Sequence, residues 1–204
     1  MIINKLEERV WHVTDFTSHG DALLKEINES NDWVHRFGTK NEDGSWDEES
    51  GSSFVESLDL SRFKSFNGFK EDLILCVQEY MNELADGKEV KLIGEHSVDK
   101  HYPPTKIPSH TDDQPGLTVL IYMNDDYEGG ELSISVRKDM TEDGVVQIGV
   151  DEARHPEESS ESIDLWIKPS AMSVLFLPAQ APYYHTAHKI TSGYKYLIKA
   201  LQEL

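Results

Sequence analysis

His110 and Asp112 stand two residues apart in Ser109-His110-Thr111-Asp112. In an extended segment residues i and i+2 share a face, so an imidazole and a carboxylate can converge there on one cation. A second imidazole would complete a three-ligand set, and Tyr183-Tyr184-His185-Thr186-Ala187-His188 offers two candidates. Two imidazoles with one carboxylate leave coordination positions of a divalent iron open to other molecules. Strand alternation puts His185 and His188 on opposite faces, so at most one of them joins the set. A His-x-Asp pattern alone is common in surface loops. The plain alternative is a β-sandwich binding module with incidental histidines, as His12, His19, His35, His96, His101 and His155 have no partner at ligand spacing.

The elements that would position these residues are mostly strands. Leu117 to Met123 is a continuous apolar run suited to a buried strand. Leu132, Ile134 and Val136 alternate with polar residues, as do Ile163, Leu165 and Ile167. Val174 to Leu177, Tyr183 to Ile190 and Tyr194 to Leu201 complete the set. An extended start at Val10 to Val13 precedes a short amphipathic helix from about Asp21 to Ser30. Phe69, Leu73, Val77, Tyr80 and Leu84 predict a second helix from Phe69 to about Ala85, stopped near Asp86-Gly87. About eight strands after two helices, without βαβ alternation, imply a mainly β fold with flanking helices, a double-sheet jelly roll. The stretch from Gly38 to Ser53 has loop composition around a single aromatic, Trp46. That residue would anchor a mobile lid or simply tack the loop down. Lys138 to Ser162 is acidic and turn-rich, read as an insertion or solvated hairpin, with Val145 to Val150 a candidate extra strand.

A chain of 204 residues suits one domain over 1–204. Residues 1–88 would form helical N-terminal support with the loop, and residues 89–204 the jelly-roll core. The formal charge of −19 works against binding a phosphate backbone, so nucleic acid is not expected as a partner. No apolar run spans a bilayer and the first residues lack signal-peptide character; a soluble cytoplasmic protein without a membrane partner is expected. Cys76, the one cysteine, falls in the apolar stripe of the second helix and reads as a core residue.

Four blocks in the last half of the chain resemble the 2-oxoglutarate and Fe(II)-dependent dioxygenases, in their prolyl 4-hydroxylase-like branch. They are His110-Thr111-Asp112, Thr118-Val119-Leu120-Ile121-Tyr122-Met123-Asn124, Tyr127-Glu128-Gly129-Gly130-Glu131-Leu132 and His185 through Lys195. In the last block the family pattern has a metal-binding histidine, a glycine eight residues on and a basic residue two further. Gly193 and Lys195 therefore favour His185 over His188. The resemblance implies a double-stranded β-helix (jelly-roll) core in which Fe(II) is held by His110, Asp112 and His185. It also implies 2-oxoglutarate as cosubstrate, O2, and ascorbate as a candidate auxiliary. The distal carboxylate of 2-oxoglutarate would meet Lys195 and the Tyr122 hydroxyl. Tyr102 would line the same pocket or serve as a packing residue. On a strand Lys195 shares a face with Leu197, while Tyr194 and Tyr196 point the other way. A buried ammonium needs a carboxylate partner, which the cosubstrate would provide.

The activity implied is hydroxylation of prolyl residues in a proline-containing peptide or protein, with a free amino acid or other small molecule as the alternative substrate. Two positions depart from the family pattern. Met172 stands where a turn glycine is common. Leu201, six residues past Lys195, stands where prolyl hydroxylases often carry a tryptophan.

Overall fold

The computed structural model describes residues 1–84, 89–112, 116–137 and 162–202. The strand expected at Val145 to Val150 and the helix stop at Asp86-Gly87 lie outside them. Fifteen strands and two α-helices occur in the described residues. The N-terminal part holds β1 (Ile2–Glu7), β2 (Val10–Thr14), α1 (Gly20–Glu29), β3 (Val34–Phe37), β4 (Val55–Asp59) and α2 (Lys64–Leu84). Next come β5 (Leu92–Ile93), β6 (Ser97–His101), β7 (Ile107–His110), β8 (Leu117–Tyr122), β9 (Glu128–Gly129) and β10 (Leu132–Arg137). The chain closes with β11 (Ser162–Ile167), β12 (Ser173–Pro178), β13 (Tyr183–Ala187), β14 (Ile190–Ser192) and β15 (Lys195–Gln202). No helix among the described residues is long and apolar enough to cross a membrane.

These strands form a nine-stranded sheet in the order β1-β2-β12-β8-β15-β6-β4-β3, with β5 on β15, and a four-stranded sheet β11-β10-β13-β7. All pairs are antiparallel. The N-terminal segment thus contributes four strands to the large sheet beside its helices, more than the support role read from sequence.

The centre of the large sheet is buried on both faces, which explains why β8 reads as an unbroken apolar run. Leu117, Val119 and Ile121 turn toward the helices, joining Leu23, Ile27, Phe69, Leu73 and Val77 in one core. Leu120 and Tyr122 turn the other way, joining Leu132, Ile134, Val136, Leu175 and Leu177 in a second core between the sheets. Each such fully buried side chain contributes about 1.5–3 kcal/mol. Thr118 shares the inner face of β8 and is a buried polar residue there.

α2 begins at Lys64 rather than Phe69 because Phe66 extends the buried stripe by a turn. The turn before β12 is built with Met172 at φ 53°, a left-handed conformation unusual for a residue with a side chain. Its thioether lies over Gly20, where an added Cβ would stand 2.4 Å from the Met172 sulfur. Trp46 tacks its loop down: its ring lies 5.2 Å from that of Tyr102 and 5.6 Å from those of His35 and Phe54. Cys76 is buried, and burial pushes its thiol up to about 12.

Candidate metal centre

Antiparallel pairing of β7 with β13 sets His110 directly opposite His185, with ring centroids 4.2 Å apart. Past the end of β7, the Asp112 N–H donates to the Ala179 carbonyl at 2.8 Å, and its carboxylate turns back toward both imidazoles. His110 Nε2 is 3.9 Å from Asp112 Oδ1, and His185 Nε2 is 3.8 Å from Asp112 Oδ2. One candidate ligand atom from each residue lies within 4.8 Å of the others, and no second such cluster occurs among the described residues. Donors about 2.1 Å from one ion sit roughly 3–4 Å apart, so slight closure puts all three on a single cation.

The surroundings prepare each donor. His110 Nδ1 lies 2.8 Å from the Pro108 carbonyl; donating its proton there leaves Nε2 with a free lone pair. His185 is held neutral, its pKa lowered to about 3 by burial and then by the neighbouring His110. Burial alone would raise the Asp112 carboxyl, but the Lys199 ammonium and the hydrogen bonds from Lys199 and Thr118 hold it below its usual range. The Thr118 hydroxyl donates to Asp112 Oδ2 and the Lys199 ammonium to Oδ1. His188 stays outside this group. It stacks on Trp166 at 4.4 Å, with Nε2 2.9 Å from the Ser133 hydroxyl.

β15 links this centre to a cluster of buried polar groups, here called the Lys195 chamber. Lys199 touches Asp112, and Lys195, four residues earlier on the same face, is ~13 Å away along the strand. Lys195 is only 3 % exposed. Its ammonium donates to the Gly130 carbonyl at 3.1 Å and lies 5.7 and 5.9 Å from the Tyr122 and Tyr127 ring centroids. It forms no ion pair among the described residues. Burial lowers its pKa from 10.5 to about 8, partly opposed by Glu131. Burial likewise raises the Tyr122 and Tyr127 hydroxyls.

Two residues that sequence reasoning missed belong to this chamber. His101 pairs directly with Lys195 across β6 and β15. Burial, then Lys195, lowers its pKa to about 3. Its Nε2 and the Tyr127 hydroxyl are buried and make no hydrogen bond among the described residues. Orphaned buried polar atoms are rare in folded chains and call for a partner. Tyr102 is not brought to this chamber. Tyr102 lies one residue past the end of β6 and turns away from His101. There its hydroxyl donates to Glu56 and its ring packs edge-on to Tyr194.

No protein-family model matches the chain, and no curated protein does. Solved structures do. A prolyl hydroxylase from Trichoplax adhaerens, in complex with a hypoxia inducible factor oxygen degradation domain peptide fragment, is 13% identical with a TM-score of 0.58, covering 95% of this chain and 83% of its own. A prolyl-4-hydroxylase from Pseudomonas putida is 9% identical at 0.55, with 95% and 91% covered. An oxidoreductase of the 2OG-Fe(II) oxygenase family from Burkholderia pseudomallei is 8% identical at 0.61, with 97% and 86% covered. At these identities the likeness establishes a shared fold.

Proposed function

We propose that the chain is an Fe(II)- and 2-oxoglutarate-dependent oxygenase, with a prolyl residue of a peptide or protein as its substrate. The observation that carries this reading is the convergence of His110, Asp112 and His185, with a buried lysine, Lys195, further along β15 that forms no ion pair among the described residues. The three residues would hold Fe(II) on one side and leave the opposite positions open. Fe(II), when bound, would relay electrons to O2, two from the keto acid and two from the C–H bond of the substrate. Overall, a C–H bond, O2 and 2-oxoglutarate yield C–OH, succinate and CO2.

The chain's own residues set up that reaction. His110 and His185 offer nitrogen lone pairs, and the Thr118 hydroxyl fixes the Asp112 carboxylate. Lys195 would pair with the distal carboxylate of 2-oxoglutarate, assisted by the Tyr122 hydroxyl. An ammonium without an ionic partner in a desolvated site discriminates strongly for such an anion. Leu120, Leu132 and Leu175 pack with Tyr122 in the inter-sheet core and would keep water from the reacting groups, which protects reactive species. The prolyl assignment draws on the fold shared with two prolyl hydroxylases. It is tested by supplying the Fe(II)-loaded protein with 2-oxoglutarate, O2, ascorbate and a library of proline-containing peptides. A mass gain of one oxygen on proline, matched by succinate, is expected; succinate release with oxidation elsewhere would reassign the substrate.

A further inference from the structure

Lys199 faces two ways. Its ammonium ends on Asp112, yet the side chain is 43% exposed because it also walls an open pocket of about 630 Å³. This pocket lies where β3, β4, β6 and β15 of the large sheet run together, and Val34, Ile93 and Leu201 give it apolar wall. Its other close charges cancel. Arg36 Nη1 reaches the two oxygens of Asp99 at 3.0 and 3.1 Å, and the Ser57 hydroxyl donates to the same carboxylate. Lys199 is the pocket's other cation, and its one ion pair among the described residues is with Asp112, so it becomes surplus when a metal takes that carboxylate.

With a dication on Asp112, Lys199 loses much of its partner's charge and is repelled by the ion a few ångströms beyond. The pocket is then the open side to which its flexible stem can turn. Resting on the oxygenase reading above, we infer that this pocket seats the substrate and that Lys199 pairs with a carboxylate carried close to the carbon that is oxidised. A chain of formal charge −19 repels acids in general, so a surplus cation at this pocket admits one selectively. Leu201 and Ile93 cover the substrate's aliphatic part. The carboxylate belongs to a free amino acid or other small acid, or to an acidic residue or C-terminus of a peptide.

The test uses the Fe(II)-loaded full chain with 2-oxoglutarate and O2 in four arms: free amino acids, their amides, peptides containing Asp or Glu, and the same peptides with Asn or Gln. Oxygen incorporation confined to carboxylate-bearing members is expected, and the productive arm identifies the source. The best member is then titrated by calorimetry into Mn(II)- and 2-oxoglutarate-loaded protein under argon. Lys199→Gln should weaken its binding at least tenfold and Lys199→Arg should restore part of it. The Mn(II) affinity of each variant is measured first, so that metal loss is not read as substrate loss. Amides oxidised as well as acids, no oxidation in any arm, or unchanged binding in Lys199→Gln with its metal site intact would overturn the inference. Failure of the oxygenase reading looks different: no O2-dependent succinate release in any arm, with or without added substrate.

Discussion

Replacing Lys195 by methionine should move two properties in opposite directions. The native protein holds this ammonium buried against the Gly130 carbonyl, and its pKa falls from 10.5 to about 8. A drop of that size corresponds to roughly 3 kcal/mol of stability forfeited by keeping the charged form. The cost is complete below pH 8, where the lysine is protonated both folded and unfolded. It fades as the pH rises to 10.5, because the unfolded chain then binds more protons than the native one. Methionine is of similar length and uncharged, and the hydrogen bond lost at Gly130 returns ~1 kcal/mol of the gain. Metal-free Lys195→Met should therefore exceed wild type by roughly 2 kcal/mol in urea denaturation at pH 7, with the gap closing toward pH 10. Calorimetric titration of 2-oxoglutarate into the Mn(II)-loaded variant should show affinity reduced at least tenfold, about 1.4 kcal/mol or more. A variant no more stable than wild type at pH 7 would show that the ammonium is not held at a cost. Unchanged 2-oxoglutarate affinity would remove Lys195 from the cosubstrate site.

Wild-type affinity for 2-oxoglutarate, titrated under argon, should be flat below pH 8 and fall about tenfold per pH unit above it, since pairing then requires Lys195 to regain a proton; a flat profile to pH 10 would contradict an ionic role. His185→Ala should lose metal binding as fully as Asp112→Ala, whereas His188→Ala, changed only at its contacts with Trp166 and Ser133, should retain it, as equilibrium dialysis against Mn(II) would reveal. Ile134 is fully buried and directly opposite His185, so Ile134→Ala should cost about 2–5 kcal/mol in chemical denaturation and weaken Mn(II) binding as well; intact metal affinity would show that His185 is positioned without it.

Much of this arrangement was legible in the residues wherever burial is one-sided. Leu132, Ile134 and Val136 alternate because β10 has one inner face, and the stripe from Phe69 to Tyr80 repeats because α2 packs one side on the sheet. The edge strand Val34–Phe37 escaped notice because all four residues are exposed and nothing imposes a period. Ser65, Asn67 and Gly68 hid the first turns of α2, being weak helix formers. His110, Asp112 and His185 could be named from spacing, but the ladder that sets His110 opposite His185 depends on register. The same limit concealed His101 opposite Lys195 and Lys199 on Asp112, and it left Tyr102 open between the pocket and the packing role that its contacts with Glu56 and Tyr194 give it.

Oxygen-dependent succinate release tests most directly whether His110, Asp112 and His185 form a working iron centre. Protein loaded anaerobically with Fe(II) and 2-oxoglutarate should, once O2 is admitted, release succinate and CO2 in equal amounts and faster than Fe(II) and 2-oxoglutarate in buffer. Asp112→Ala treated identically should match the buffer. Wild type indistinguishable from that variant would contradict the assignment.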